Sequence, residues 1–95
     1  MTRSTKGTEG TNYQGVRITT SIDSLVEVIG LPSYTSNDED YVTHIWDCET
    51  EEGIVFTIYT FVTEDDDSSL ETTFRIGSFS KSISNKAKEE VESLF

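Results

Sequence analysis

The ten residues GIVFTIYTFV, positions 53 to 62, constrain this chain more than any others. They form its most apolar stretch, and the acidic run TEDDD follows at once. A strand of an antiparallel sheet with one face in water alternates apolar and polar residues. Here Ile54, Phe56 and Ile58 point one way, while Val55, Tyr59 and Phe61 point the other. One face meets a core. The second face needs a cover of its own: another subunit, a ligand or the chain's own N-terminal segment.

The segment before this stretch fixes a register. YVTHIWDCET reads as a strand, and the turn Glu51–Glu52–Gly53 joins the two. With Gly53 in the left-handed position, a three-residue loop pairs Thr50 with Ile54. Trp46 then opposes Ile58, and Cys48 opposes Phe56. Val42, Trp46, Cys48, Ile54, Phe56 and Ile58 share one strongly apolar face, which is the core face. A two-residue loop would mix the faces.

The remaining elements follow from periodicity. Residues 1–12, MTRSTKGTEGTN, are polar and read as a flexible lead-in to a single domain spanning 13–95. YQGVRITT predicts a first strand, with Tyr13, Val16 and Ile18 as its apolar positions and a bulge at Gly15. TSIDSLVEVIGLP predicts a helix, because Ile22, Leu25, Val26 and Ile29 fall on one face. Thr20 or Ser21 caps it, Gly30 ends it and Pro32 prevents its continuation. SYTSNDED and EDDDSS read as polar loops. LETTFRIG predicts a strand with Leu70, Phe74 and Ile76 inward. SKSISNKAKEEVESLF predicts a helix with Ile83, Ala87, Val91 and Leu94 as its stripe. The predicted fold is α+β: a small antiparallel β-sheet in the order β-α-β-β-β-α, with two helices packed on one face.

That arrangement leaves Tyr41, Thr43, Ile45, Val55, Thr57, Tyr59, Phe61, Thr73 and Arg75 on the far side of the sheet. Ile45, Val55, Tyr59 and Phe61 would make an apolar patch large for a monomer, which marks them as candidate interface residues. A homodimer or higher homo-oligomer is the default assembly for such a patch.

Charge narrows the partners. Seven basic residues face eighteen acids, for a net charge of −11. Such a chain is repelled by nucleic-acid phosphates and by anionic membranes, so neither is an expected partner. The acidity keeps a small protein soluble, or it serves a basic partner protein. No apolar signal region opens the sequence and no run approaches a membrane span, so the expected location is cytoplasmic.

The residue types that carry chemistry are sparse. Cys48 has no second cysteine to pair with and reads as a small buried hydrophobe. His44 lies on the inward strand face, with Asp47 and Glu49 on the opposite one, and reads as structural. The acid runs NDED and EDDD lack the calcium-loop pattern and read as solvated loops, so no metal is expected. No catalytic triad, phosphate loop, zinc pattern or dinucleotide fingerprint occurs, so neither enzymatic activity nor a cofactor is expected. RIGSFSKS joins a strand end to a helix start. There Ser78 and Lys81, with the backbone N–H groups, either hold an anion or simply cap the helix.

Several elements occur in the same order in a class of small, mostly uncharacterised phage-encoded proteins. GTNYQGVRI, LVEVIGLP, HIWDCETEEGIVFTIYTF and RIGSFSKS resemble that class over nearly the whole folded length. The class commonly has TIYDW followed by Lys where this chain has TIYTFV, and HIGG where it has RIGS. The resemblance implies a phage origin, location in the host cell cytoplasm and no enzyme. For a short acidic phage-type protein, the expected role is counter-defence, by sequestering a host nucleotide immune signal in an oligomer. Arg17, Tyr59, Arg75, Ser78 and Lys81 are the candidate contacts to phosphates and bases. The alternatives are an acidic inhibitor or DNA mimic acting on a basic host protein, and an accessory structural protein.

Overall fold

The computed structural model describes residues 1–38, 41–63 and 67–95. The elements are β1 (Thr2–Arg3), β2 (Asn12–Ser21), α1 (Ile22–Ile29), β3 (Tyr34–Asn37), β4 (Val42–Glu49), β5 (Val55–Val62), β6 (Glu71–Ser78) and α2 (Lys81–Glu92). All pairings are antiparallel. The strand order is β1-β4-β5-β6-β2, and β3 also lies on β4. The protein is a small α+β domain with two helices packed against one antiparallel sheet.

The hairpin has the expected register. Trp46 pairs with Ile58 and Cys48 with Phe56. Gly53 has φ +80°, its N–H donates to the Thr50 carbonyl, and the Thr50 N–H donates to the Ile54 carbonyl. Trp46, Cys48, Phe56, Ile58, Phe74 and Ile76 are fully buried on the inward face. Each such large side chain contributes about 1.5–3 kcal/mol of burial free energy. Leu25 of α1 and Ala87 and Val91 of α2 close the same cluster.

Both helices start on serine caps. Ser21 Oγ accepts from the Ser24 N–H, and Ser80 Oγ accepts from the Ile83 N–H. Gly30 ends α1 at φ +93°, and its carbonyl accepts the Trp46 indole N–H at 3.0 Å. This bond ties the C-terminus of α1 to the core and satisfies the one polar atom of the indole.

Five local expectations are corrected. Thr2–Arg3 and Tyr34–Asn37, both expected outside the sheet, are strands on the same edge of β4. Both are short and polar, and edge pairing needs backbone groups rather than apolar side chains. Arg3 lies within the stretch expected as a lead-in. Its guanidinium donates to the carbonyls of Ile29 and Leu31 and to Ser33 Oγ, so β1 is clamped to the end of α1. Leu70 is exposed because β6 begins after it. Leu94 is exposed because α2 ends at Glu92, and the buried face of α2 carries Ser84 where the apolar pattern placed Ile83. Ser84 can be buried because Ser78 Oγ, at 2.6 Å, supplies a hydrogen-bond partner.

Met1 and Glu90 link the start of the chain to α2. The Met1 ammonium lies 3.0 Å from Glu90 Oε1, which also accepts the Glu51 N–H at 2.9 Å. From β1 the chain must cross to β2 on the opposite sheet edge. It passes the β4–β5 hairpin, where Lys6 Nζ donates to the Gly53 carbonyl and pairs with Glu49 at 3.4 Å. At that end of the outer face Val55 is only 7% exposed. At the other end Tyr41 and Phe61 are 42% and 47% exposed.

Candidate functional site

The open part of the outer face is organised in rows. One row crosses five strands through successive paired residues: Tyr34, Ile45, Tyr59, Arg75 and Arg17. Phe61 stands beside Tyr59 on β5, with Tyr41 edge-on to it at 5.7 Å between ring centroids. Tyr59 and Phe61 are likewise edge-to-face at 5.8 Å. One half of the row is thus apolar and aromatic, and the other half is cationic.

Two glycines shape the cationic half. Four steps along β2, Tyr13 to Arg17, oppose only two steps of β6, Gly77 to Arg75. Gly15, at φ +82°, takes up this bulge. The excess is two residues, so Tyr13 and Arg17 share the outer face. Of the three apolar positions of this strand, Val16 and Ile18 are buried, whereas Tyr13 lies with Arg17 on the other face. Gly77 lies opposite Thr57, and a Cβ there would come 2.6 Å from Thr57 Oγ1 and 3.6 Å from the Tyr59 ring. The missing side chain lets Thr57 and Tyr59 settle against the strand.

Around these positions cations and rings alternate. The Arg75 guanidinium lies 5.3 Å from the Tyr13 ring centroid and 5.6 Å from that of Phe61. The Arg17 guanidinium lies 5.8 Å from Tyr13, and Arg17 Nε donates to the Tyr13 hydroxyl. Burial pushes the Tyr59 phenol up from its ordinary value, against the pull of the Arg75 guanidinium that hydrogen-bonds it. Tyr59 therefore keeps its proton at neutral pH. Arg17 and Arg75 are direct cross-strand partners, an arrangement that costs stability for like charges. Among the described residues neither forms an ion pair with an acid.

The paired ladder between β5 and β6 stops at Tyr59–Arg75. Beyond it the strands part, and Thr60 Oγ1 bridges to the Thr73 carbonyl at 3.0 Å. The gap opens as a shallow recess of about 500 Å³ lined by Arg17, Thr60, Phe61, Thr72, Thr73 and Arg75.

The sequence-predicted site residues therefore divide. Arg17, Tyr59 and Arg75 come together, with Phe61 beside them. Ser78 does not join them: it is fully buried, and its hydroxyl contacts the Ser80 carbonyl and Ser84 Oγ at 2.6 Å each. Lys81 is the first residue of α2 and does not line the recess that Arg17 and Arg75 border. Of the candidate interface residues, Ile45, Tyr59 and Phe61 lie on the open face, whereas Val55 is buried within the chain. Tyr13 and Tyr34 are additions. The parity of Tyr13 with Arg17 was available in the sequence, but the size of the bulge was not.

The other candidates for chemistry have structural partners. His44 Nδ1 lies 3.0 Å from Thr35 Oγ1 on the neighbouring strand, and burial lowers its pKa. Cys48 is fully buried, and burial pushes its thiol up to about 12. Among the described residues no three His, Cys, Asp or Glu side chains converge as metal ligands. Glu39, Asp40, Glu64, Asp65 and Asp66, the greater part of the two acid runs, lie outside the described residues. Among the described residues no helix is long and apolar enough to cross a membrane.

No family model, curated protein or solved structure matches this chain.

Proposed function

We propose that this is a non-enzymatic binding protein whose outer sheet face holds a phosphate-bearing, aromatic ligand of the nucleotide class. The observation that carries this reading is the Arg17–Arg75 pair, two guanidiniums opposed across strands with no acid paired to them among the described residues. In a chain of net charge −11, two like charges held side by side are relieved by an anion that bridges them. Guanidiniums bind phosphate oxygens in bidentate fashion, and rings beside them offer stacking surfaces for a base. Phe61 is the exposed ring bordering the recess, and the Thr72 and Thr73 hydroxyls there suit ribose hydroxyls.

Set beside the resemblance to phage-encoded proteins, this chemistry favours counter-defence: sequestration of a host nucleotide signal in the host cell cytoplasm, without turnover. Calorimetry against a panel of mononucleotides, cyclic nucleotides and cyclic dinucleotides tests it. The expected result is saturable heat with at least one ligand and a loss of at least about tenfold for Arg75→Ala, since hydrogen bonds to charged groups are each worth about 1.5–3 kcal/mol. An absence of heat with every ligand removes the reading.

A further inference from the structure

The row Tyr34–Ile45–Tyr59–Arg75–Arg17 has a polarity that bears on its cover. Its aromatic end, Tyr34, is 50% exposed, its cationic end, Arg17, is exposed, and Tyr59 is its midpoint. Tyr and Arg are enriched at protein interfaces, whereas Lys, Glu and Asp are depleted there. Despite eighteen acids in the chain, this row contains none. We propose that the open face is covered by a second copy of this chain, about a two-fold axis running along β5.

Charge selects that axis. A rotation about β5 reverses the row, so Arg17 and Arg75 of one copy face Tyr34 and Ile45 of the other. Tyr59 and Phe61 meet their own counterparts on the axis. A two-fold axis perpendicular to the strands would keep the lateral order and stack arginines on arginines, which is repulsive. The first arrangement is self-complementary, as a symmetric interface must be: it sets Arg17 on the Tyr34 ring and Arg75 on Ile45, and opposes no two guanidiniums. Two sheets with nearly aligned strands are also a common packing.

The interface is small. Five strands at about 4.8 Å spacing span about 20 Å. The open length along β5 is of similar size, giving roughly 400 Å² per copy, below the usual value of about 800 Å². The dimer is accordingly weak and concentration-dependent. It would place the recess beside Arg75 of each copy under the aromatic end of the other.

Sedimentation velocity of the full chain over a range of concentrations tests this. The expected result is a shift from 10.7 kDa towards twice that mass. Arg17→Ala/Arg75→Ala and Tyr34→Ala/Ile45→Ala should each stay monomeric, and mixing them should restore a heterodimer through the one contact that remains intact. Phe61→Cys, on the axis, should also form a covalent dimer under mild oxidation. A wild-type chain that stays monomeric at the highest concentration overturns the proposal. So do double variants that dimerise as wild type does, a mixture that recovers nothing, or Phe61→Cys that does not cross-link. Dimerisation without nucleotide heat would sink the ligand reading alone, and nucleotide binding by a persistent monomer would sink the dimer alone.

Discussion

Thr57 Oγ1 stands within 2.6 Å of where a Cβ on Gly77 would lie. This packing sets the floor of the outer face, because Tyr59 rests on the same glycine. Gly77→Ala should cost about 1–3 kcal/mol, the usual range for overpacking a fitted site. Urea denaturation followed by Trp46 fluorescence measures it. The same change should weaken ligand binding, because moving Tyr59 also moves its hydrogen bond from Arg75.

Ser78 and Arg75, three residues apart, should separate stability from binding. Ser78→Ala removes the partner of the buried Ser84 hydroxyl and should cost about 1–2 kcal/mol. Its calorimetric affinity should stay at the wild-type value. Arg75→Ala should change stability by no more than about 0.5 kcal/mol, as for an exposed position, yet lose affinity. The reverse pattern would move the site to the start of α2.

Cys48 should be chemically silent in the folded protein. Its thiol is fully buried, and with its pKa pushed up to about 12 almost no thiolate exists at neutral pH. A soluble disulfide reagent should therefore leave the native chain unmodified and titrate one thiol in denaturant. Rapid labelling under native conditions would show that the β1–β4 edge opens readily.

His44 should make the protein less stable as pH falls. Burial depresses its folded pKa below the ordinary 6.5, so the unfolded chain binds the extra proton more readily. The contribution is fully present above about 6.5 and is lost between there and the lower folded value. Denaturation of wild type and His44→Gln at several pH values between about 5 and 8 isolates the effect. The wild-type curve should fall on the acid side relative to the variant. Parallel curves would mean that the imidazole binds its proton equally well in the folded and unfolded chains.

The sequence was legible wherever a local pattern and burial coincide. The 51–53 turn, the Trp46–Ile58 register, the Ser21 cap and the Gly30 stop each rest on a few adjacent residues. The corrections arise where distant partners decide. Ser84 reads as polar until Ser78 is placed beside it. The face that Tyr13 takes is open until the length of the Gly15 bulge is known. Thr2–Arg3 and Tyr34–Asn37 carry no apolar alternation, because their pairing is with backbone. The candidate site was half visible for the same reason. Arg75 and Tyr59 could be assigned to the outer face by alternation, whereas their meeting with Arg17 and Tyr13 depends on a β2–β6 pairing that no neighbouring residue announces.

Arg3 has a bearing on the order of assembly. Its partners Ile29, Leu31, Ser33 and Asp47 follow it by 26, 28, 30 and 44 residues. On the ribosome, residue 3 emerges long before any of them. Its place on the sheet cannot form until α1 has closed and β4 has been extruded. Closing so long a loop is slow compared with forming a helix or hairpin. Strand β1 therefore stays unpaired until β4 has been extruded, and the β2–β6 pairing, which joins residues 50 to 66 apart, closes later still.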